Sequence, residues 1–207
     1  MSTSTKFWDK IAAKYARTPV SNEEAYQKKL QISREYLRPD TYLVEFACGT
    51  GSTALVHAPY VDRILATDIS ANMLEIARQK AADAGVENVT FEQVAFDDME
   101  IADGSVDVVM AHSILHLLED RDAAIATAYR WLKPGGVFIS STACLGDKLW
   151  FMRPFLVLAK WIGKAPMVKT FTVAQLTDSI KRAGFDIDQS WLPDKGIAVF
   201  IVAKKRP

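Results

Sequence analysis

Two carboxylates and two glycines lie where the first two predicted strands of this chain end. Glu45 stands near the end of a buried strand, and Gly49 and Gly51 follow it closely. Asp68 ends the next strand, seventeen residues beyond Gly51. Glycines at a strand-to-helix turn allow a ligand to approach the backbone closely. An acid at about that distance can accept hydrogen bonds from both ribose hydroxyls of a nucleoside, so the pattern predicts a nucleoside site.

Two kinds of nucleoside cofactor compete for this pattern. Gly49-x-Gly51-x-x-Ala54 satisfies the GxGxxG/A fingerprint of dinucleotide sites, which indicates NAD. Glu45 argues against NAD, because a dinucleotide places its pyrophosphate at this turn and a carboxylate would repel it. A sulfonium-bearing amino acid with a free ammonium would instead be attracted, by roughly 4 kcal/mol at about 4 Å and an effective dielectric near 20, before desolvation costs. An NAD-dependent oxidoreductase and a non-catalytic nucleoside-binding protein stay as alternatives.

Alternating strands and helices position these residues. Apolar runs predict strands at residues 42–47, 63–68, 89–94, 106–111 and 137–142. Helical patterns are found before and between them, at residues 7–15, 22–37, 52–57, 70–84 and 121–132. Residues 185–191 and 197–203 predict an antiparallel hairpin at one edge. We therefore expect an α/β, Rossmann-like doubly wound, mostly parallel seven-stranded sheet, which binds ligands at the carboxyl ends of its strands.

Composition and charge exclude several classes of protein. The 207 residues are 49% hydrophobic and 24% charged, which excludes a disordered chain. The formal net charge of zero disfavours a dedicated nucleic-acid binder, although residues 41–120 carry a net charge of −11. Cys48 and Cys144 are too few for a disulfide framework and lack the spacing of a zinc site, so no metal is predicted. The start of the sequence lacks the profile of a secretory signal, which predicts a cytoplasmic protein.

Four ordered motifs resemble those of the class I S-adenosylmethionine-dependent methyltransferases that act on small molecules. They are Glu45-x-Ala47-x-Gly49-x-Gly51, Asp68-Ile-Ser-Ala-Asn-Met-Leu, Asp103-Gly-Ser-Val-Asp-Val-Val and Leu132-Lys-Pro-Gly-Gly. The resemblance covers about residues 41–143, and the opening Phe7-Trp-Asp-x-Ile-Ala-x-Lys-Tyr15 is similar as well. It implies methyl transfer from S-adenosyl-L-methionine to a small-molecule acceptor. Ala47 stands where the usual motif has its first glycine.

The resemblance also implies a role for individual residues in binding the cofactor. The residues are Tyr15, Glu45, Ala47, Cys48, Gly49, Gly51, Asp68, Ile69, Met73, Ala95, Phe96 and His112. Glu45 would orient the methionine ammonium, directly or through water, and residues 47–51 would pass beneath it. Asp68 would hold the ribose, and Tyr15 would close over the carboxylate end or simply pack as a helix aromatic.

The same resemblance places four residues around the adenine. Ile69 and Met73 would pack on the ring, with burial in the core as the alternative, and Ala95 and Phe96 would border it. The acid that the family commonly places near the adenine is absent at Ala95, so Asp97 or the Phe96 N–H would take its part.

Two histidines follow the fourth predicted strand. His112 would contribute backbone near the sulfonium, and the side chains of His112 and His116 are candidate general bases for a hydroxyl or protonated-amine acceptor. Methyl transfer otherwise depends on positioning, without an obligatory acid or base. A structural hydrogen-bonding role is the alternative for His116.

We expect one methyltransferase domain over residues 1–207. Its parts are an N-terminal helical cap (1–40), a cofactor-binding core (41–143), a helical acceptor lid (144–171) and a C-terminal helix and hairpin (172–207). The predicted lid is apolar and basic but too short to span a membrane. It indicates an apolar, anionic or lipid-like acceptor, with peripheral membrane contact as a hypothesis and ordinary helix packing as the alternative.

Overall fold

A computed structural model describes residues 3–148, 168–193 and 196–207 of the chain. Within them one sheet contains β1 (Tyr42–Phe46), β2 (Arg63–Asp68), β3 (Val89–Gln93), β4 (Val106–His112), β5 (Leu132–Ala143), β6 (Phe185–Trp191) and β7 (Ala198–Lys205). The strand order is β3-β2-β1-β4-β5-β7-β6. β1 pairs in parallel with β2 and β4, and β2 with β3, whereas β7 pairs antiparallel with β5 and β6. The expected α/β, mostly parallel seven-stranded sheet with an antiparallel edge hairpin is confirmed.

The helices of the described residues alternate with the parallel strands. They are α1 (Thr3–Arg17), α2 (Glu23–Arg34), α3 (Ser52–His57), α4 (Ala71–Asp83), α5 (Arg121–Trp131), α6 (Leu145–Lys148) and α7 (Val173–Arg182). Ser70 caps α4, since its hydroxyl accepts the Met73 N–H at 3.1 Å. Gly85 follows the same helix with a φ of +63°, as a glycine at the C′ position does.

Several boundaries differ from those that the sequence predicts. β5 begins at Leu132 rather than at residue 137, and β7 extends to Lys205. α2 ends at Arg34 instead of Leu37, because the next residues form turns in which the N–H bonds three residues back. Pro39 disfavours a helical conformation at the residue before it, which is consistent with this early end.

The chain divides into two compact units. One consists of Met1–Glu100 and Val106–Met110, and the other of Ile101–Ser105 and Ala111–Pro207. Leu43 and Val44 of β1 are fully buried in the first unit, and Phe138 and Phe200 are fully buried in the second. Each unit therefore has its own apolar interior, and the single domain over residues 1–207 stays a prediction.

Most of the predicted acceptor lid, residues 149–167, lies outside the described residues. Among the residues that are described, no helix combines the length and apolar character that crossing a membrane requires. The same residues contain no group of three or more His, Cys, Asp or Glu side chains arranged to hold a metal ion.

Candidate cofactor-binding site

The turn that connects β1 to α3 runs through the left-handed region of backbone conformation. Ala47, Gly49 and Gly51 have φ values of +56°, +56° and +71°. The Cys48 N–H donates to the Thr67 carbonyl at 2.9 Å, so the end of β2 holds the turn. A left-handed alanine costs roughly 1–2 kcal/mol, which accounts for the usual preference for glycine at the position of Ala47.

The two glycines of the turn serve different purposes. A Cβ atom on Gly51 would lie 2.8 Å from the Ala77 Cβ and 2.9 Å from the Phe91 Cε1, so close packing against α4 and β3 excludes any side chain. Among the described residues, a Cβ on Gly49 would meet one atom within 4 Å, the Tyr15 Cε1 at 3.8 Å. Gly51 is thus required by packing, while the open space at Gly49 allows close approach to the backbone.

Asp68 lies beside this turn at the end of β2. Its Oδ2 accepts the Gly49 N–H at 2.9 Å, and its Oδ1 accepts the Ser70 N–H at 2.9 Å. Burial raises the pKa of Asp68 above its usual value, and the charge of Asp9 adds to that effect, whereas hydrogen bonds from the backbone N–H groups of Ser70, Gly49 and Ile69 oppose it. Each carboxylate oxygen has a further lone pair for a ligand hydroxyl.

Glu45 lies on the adjacent strand and is almost fully buried, at 2% exposure. Its Oε2 is buried and has no hydrogen-bond partner among the described residues. Burial raises the pKa of Glu45 from 4.5 to about 8, with a smaller contribution from the charge of Asp68, although a hydrogen bond from the Ala54 N–H acts in the opposite direction. An orphaned carboxyl oxygen in such a place fits a cationic ligand group, which would stabilise the carboxylate form.

Two tyrosines from the N-terminal helices approach the carboxylates. Tyr15 is 49% exposed, and its ring meets the Trp8 ring edge-to-face with 6.3 Å between the ring centroids. Partial burial and the charges of Asp68 and Glu45 raise its pKa. Tyr26 is hydrogen-bonded to the Thr53 side chain, and its pKa is raised by burial and by Glu45. Sequence reasoning missed Tyr26, although it is the one aromatic residue of α2.

Lys80 of α4 is a second residue that the sequence analysis missed. Its Nζ donates to the Thr50 carbonyl at 3.2 Å, to the Thr50 hydroxyl at 3.0 Å and to the Ser52 hydroxyl at 3.0 Å. These bonds tie α4 to the end of the glycine turn. A lysine on the polar face of a helix is usually solvated, so its spacing gave no signal.

Of the residues predicted near the adenine, Ile69 follows β2, Met73 lies in the first turn of α4, and Ala95 and Phe96 follow β3. Ile69 is partly buried, and its carbonyl accepts the Gln93 Nε2 at 3.1 Å. Met73 is only 1% exposed and belongs to the core. Ala95 precedes a 3₁₀ turn at Phe96–Asp98, and the Phe96 ring lies 4.6 Å from the Phe46 ring. Their contact with a cofactor stays a prediction.

Cys48 lies in the middle of the glycine turn. Burial raises the pKa of its thiol well above the ordinary value, and the charges of Glu45 and Asp68 raise it further. The thiol therefore stays protonated, as expected of a small filler rather than a nucleophile. The structure brings Tyr15, Glu45 and Asp68 together around this turn, and their role in binding a cofactor stays a prediction.

The two candidate bases, His112 and His116, both lie in the second unit. His112 is the last residue of β4, and Ser113 after it has a φ of +56° and donates its N–H to the Ser141 carbonyl at 2.7 Å. His116 lies in the following turn, and its Nδ1 is buried and has no hydrogen-bond partner within residues 3–148, 168–193 and 196–207. Burial lowers its pKa to about 4, so the imidazole is neutral near pH 7. Whether either side chain acts as a base stays a prediction.

Comparison with known proteins finds similarity to methyltransferases. Residues 44–140 match the family model described as "Methyltransferase domain". The uncharacterized methyltransferase YcgJ of Bacillus subtilis is 31% identical over 110 residues, which cover 53% of this chain but 44% of that relative. The demethylmenaquinone methyltransferase of Symbiobacterium thermophilum is 25% identical across 97% of this chain and 92% of its own length.

The fold is shared with a solved structure as well. The crystal structure of YcgJ superposes with a TM-score of 0.72 at 18% identity, and the match covers 87% of this chain and 99% of that one. Residues 44–140 thus match a methyltransferase domain, and the sheet that contains them has the Rossmann-like fold of S-adenosylmethionine-dependent methyltransferases. The expected cofactor is S-adenosyl-L-methionine.

Proposed function

We propose that this chain catalyses transfer of the methyl group of S-adenosyl-L-methionine to a small acceptor of apolar or lipid-like character. The observation that carries the proposal is the pair of buried carboxylates on adjacent strands. Glu45 has an oxygen that no described residue bonds, and Asp68 accepts a hydrogen bond from the Gly49 N–H in the turn after β1. A ligand with a cationic amino acid at one end and a ribose at the other matches both.

The residues of the turn provide the binding surface for such a ligand. Glu45 would take the ammonium, Asp68 the ribose hydroxyls, and the open backbone at Gly49 would lie against the ligand. Tyr15, in contact range of that backbone, would cover the same end. When bound, the sulfonium supplies an activated methyl group. The work of these residues is to fix its orientation, which can supply much of the rate enhancement of an in-line displacement.

His112 and His116 are the proposed proton acceptors. The Nδ1 of His116 has no partner in the part of the chain that the structure describes, and the ring is neutral near pH 7, so it is able to accept a proton. With a pKa of about 4 it is a weak base, which suits an acceptor whose own proton is already acidic. His112 is proposed on its position at the end of β4.

Two observations support an acceptor of apolar or lipid-like character. The relative that aligns along 97% of this chain is named a demethylmenaquinone methyltransferase, and demethylmenaquinone is an apolar molecule. The sequence of residues 144–171 is apolar and basic, which favours an apolar or anionic acceptor and contact with a membrane surface.

Calorimetry with S-adenosylhomocysteine and with NADH tests the cofactor. Binding of the first without the second supports the transferase, and the reverse result supports an oxidoreductase. Incubation with S-adenosylmethionine and demethylmenaquinone, with phosphoethanolamine as the polar control, then tests the acceptor by a mass gain of one methyl group. Turnover of the polar compound alone rejects the apolar acceptor. Failure to co-sediment with anionic vesicles at low salt rejects the membrane contact.

A further inference from the structure

Asp9 connects α1 to the start of α4. Its Oδ1 accepts the Ser70 hydroxyl at 2.7 Å and the Asn72 N–H at 3.2 Å. Its backbone carbonyl accepts the Asn72 Nδ2 at 3.1 Å. One residue of α1 therefore makes three hydrogen bonds to the first turn of α4, through its side chain and its backbone.

Ser70, which bonds Asp9, is also hydrogen-bonded to Asp68, the carboxylate proposed to bind the ribose. Ser70 donates its N–H to the Asp68 Oδ1 at 2.9 Å, while its hydroxyl bonds Asp9. Asp68 in turn holds the Gly49 N–H at 2.9 Å. A continuous series of hydrogen bonds thus leads from α1 to the glycine turn.

α1 reaches the same turn a second time through Tyr15. The Tyr15 ring lies over Gly49, 3.8 Å from where a Cβ would stand. Tyr15 is 49% exposed, and the position of its ring depends on what holds the helix. The Asp9 carboxylate lies near enough to Asp68 for the two negative charges to interact unfavourably. The hydrogen bonds of Asp9 therefore form against a like-charge repulsion.

We propose that Asp9 is a positioning residue: by fastening α1 to Ser70 and Asn72, it holds Tyr15 over the glycine turn and thereby sets the affinity for S-adenosyl compounds without contacting them. This inference rests on the proposed function. It adds that the helix before the sheet is part of the binding site and that one carboxylate fixes its place.

Calorimetric titration of S-adenosylhomocysteine into Asp9→Ala tests the inference. Loss of the charged acceptor should weaken binding about ten-fold. Asp9→Asn keeps an oxygen acceptor for Ser70 and should restore most of the affinity. Lys10→Ala, on an exposed neighbour in the same helix, should leave it unchanged. Unchanged affinity in Asp9→Ala overturns the inference.

A double-mutant cycle separates positioning from general destabilisation. If Asp9 acts by holding Tyr15, Tyr15→Ala weakens binding in the wild-type background but adds little to Asp9→Ala. Fully additive losses of affinity contradict the inference, because they show that the two residues act independently.

Hydrogen exchange keeps the test separate from the proposed function. Wild-type protein that binds no S-adenosylhomocysteine rejects the proposed function. Whether Asp9 holds α1 in place is then tested without ligand. Faster amide exchange of residues 3–17 in Asp9→Ala, with unchanged exchange in β1 and β2, supports this role. Exchange equal to wild type overturns it.

Discussion

The carboxylate of Asp68 accepts the backbone N–H of Gly49 at 2.9 Å, across nineteen residues of sequence. This bond joins the end of β2 to the turn after β1. The second oxygen is held by the Ser70 N–H, also at 2.9 Å. The carboxylate that would bind the ribose is consequently fixed in place before any ligand arrives, which reduces the ordering that binding must impose.

Replacing Asp68 with alanine should weaken binding of S-adenosylhomocysteine by about 1–3 kcal/mol, because charge-assisted hydrogen bonds to the ribose are lost. Calorimetry gives the affinity directly. Asp103→Ala, which removes an exposed carboxylate from a turn, is the matched control. Equal affinities of Asp68→Ala and wild type would count against the site.

Glu45 should make the stability of the unliganded protein depend on pH. Its pKa of about 8 in the fold exceeds the ordinary 4.5, so between these values the folded state holds more protons than the unfolded state. The free energy of unfolding should therefore fall as the pH rises from about 5 to 8, by at most ~1.4 kcal/mol per pH unit. Urea unfolding of wild type and Glu45→Gln measures this, and the slope should be shallower in the variant. Parallel slopes would contradict the assignment.

The same group should release a proton when a cationic ligand binds. An ammonium beside Glu45 stabilises its carboxylate form, so affinity for S-adenosylhomocysteine should rise between about pH 5 and 8. Titration at pH 7 in buffers of different ionisation enthalpy should show protons passing to the buffer. Glu87→Gln, an exposed control, should behave as wild type, whereas Glu45→Gln should release none.

Gly51→Ala should destabilise the protein by about 2–4 kcal/mol. The added methyl would lie 2.8 Å from Ala77 and 2.9 Å from Phe91, and the φ of +71° is unfavourable for alanine. Gly85→Ala is the control, since its φ of +63° is similar but nothing lies within 4 Å. Thermal or urea unfolding should show about 1 kcal/mol for Gly85→Ala, and equal losses in both variants would exclude the packing explanation.

Lys80→Met should loosen the glycine turn. It removes hydrogen bonds from a charged donor to Thr50 and Ser52, and the stability loss should be about 1–3 kcal/mol. Lys10→Met, on the exposed face of α1, should lie within about 0.5 kcal/mol of wild type. Amide exchange of residues 47–52 should accelerate only in Lys80→Met, and unaltered exchange there would argue that Lys80 does not hold the turn.

His116 should not titrate near neutral pH. Burial lowers its pKa to about 4, so its ring proton resonances in an NMR titration should stay constant above about pH 5.5. His116→Gln identifies the resonances. A midpoint near the ordinary value of 6.5 would show that the imidazole is solvated.

Much of the fold could be predicted because its signals are local. The strands of β1 and β2 are short apolar runs, and Ser70 and Gly85 mark the ends of α4 by their own conformational preferences. The sequence predicts the start of β5 too late, at residue 137 rather than at Leu132, because Lys133-Pro-Gly-Gly resembles a loop. Boundaries of this kind depend on neighbouring strands and not on the local sequence.

The candidate site divides in the same way. Glu45, Gly49, Gly51 and Asp68 could be found because their spacing follows the strands that carry them. Lys80 could not, since a solvated lysine and one that binds a loop have the same local pattern. Asp9, Tyr26 and Lys80 each bond residues that are far away in the sequence, and only the folded structure brings these partners together.

The place of β7 in the sheet has a consequence for synthesis of the protein. β7 follows β6 in sequence yet lies between β5 and β6, and Phe200, Ile201, Val202 and Ala203 are fully buried there. β5 and β6 are therefore both synthesised before the strand that joins them. Until residues 198–205 take their place, β5 has an unpaired edge and β6 lacks its partner strand, and unpaired edges of this kind tend to associate with other chains.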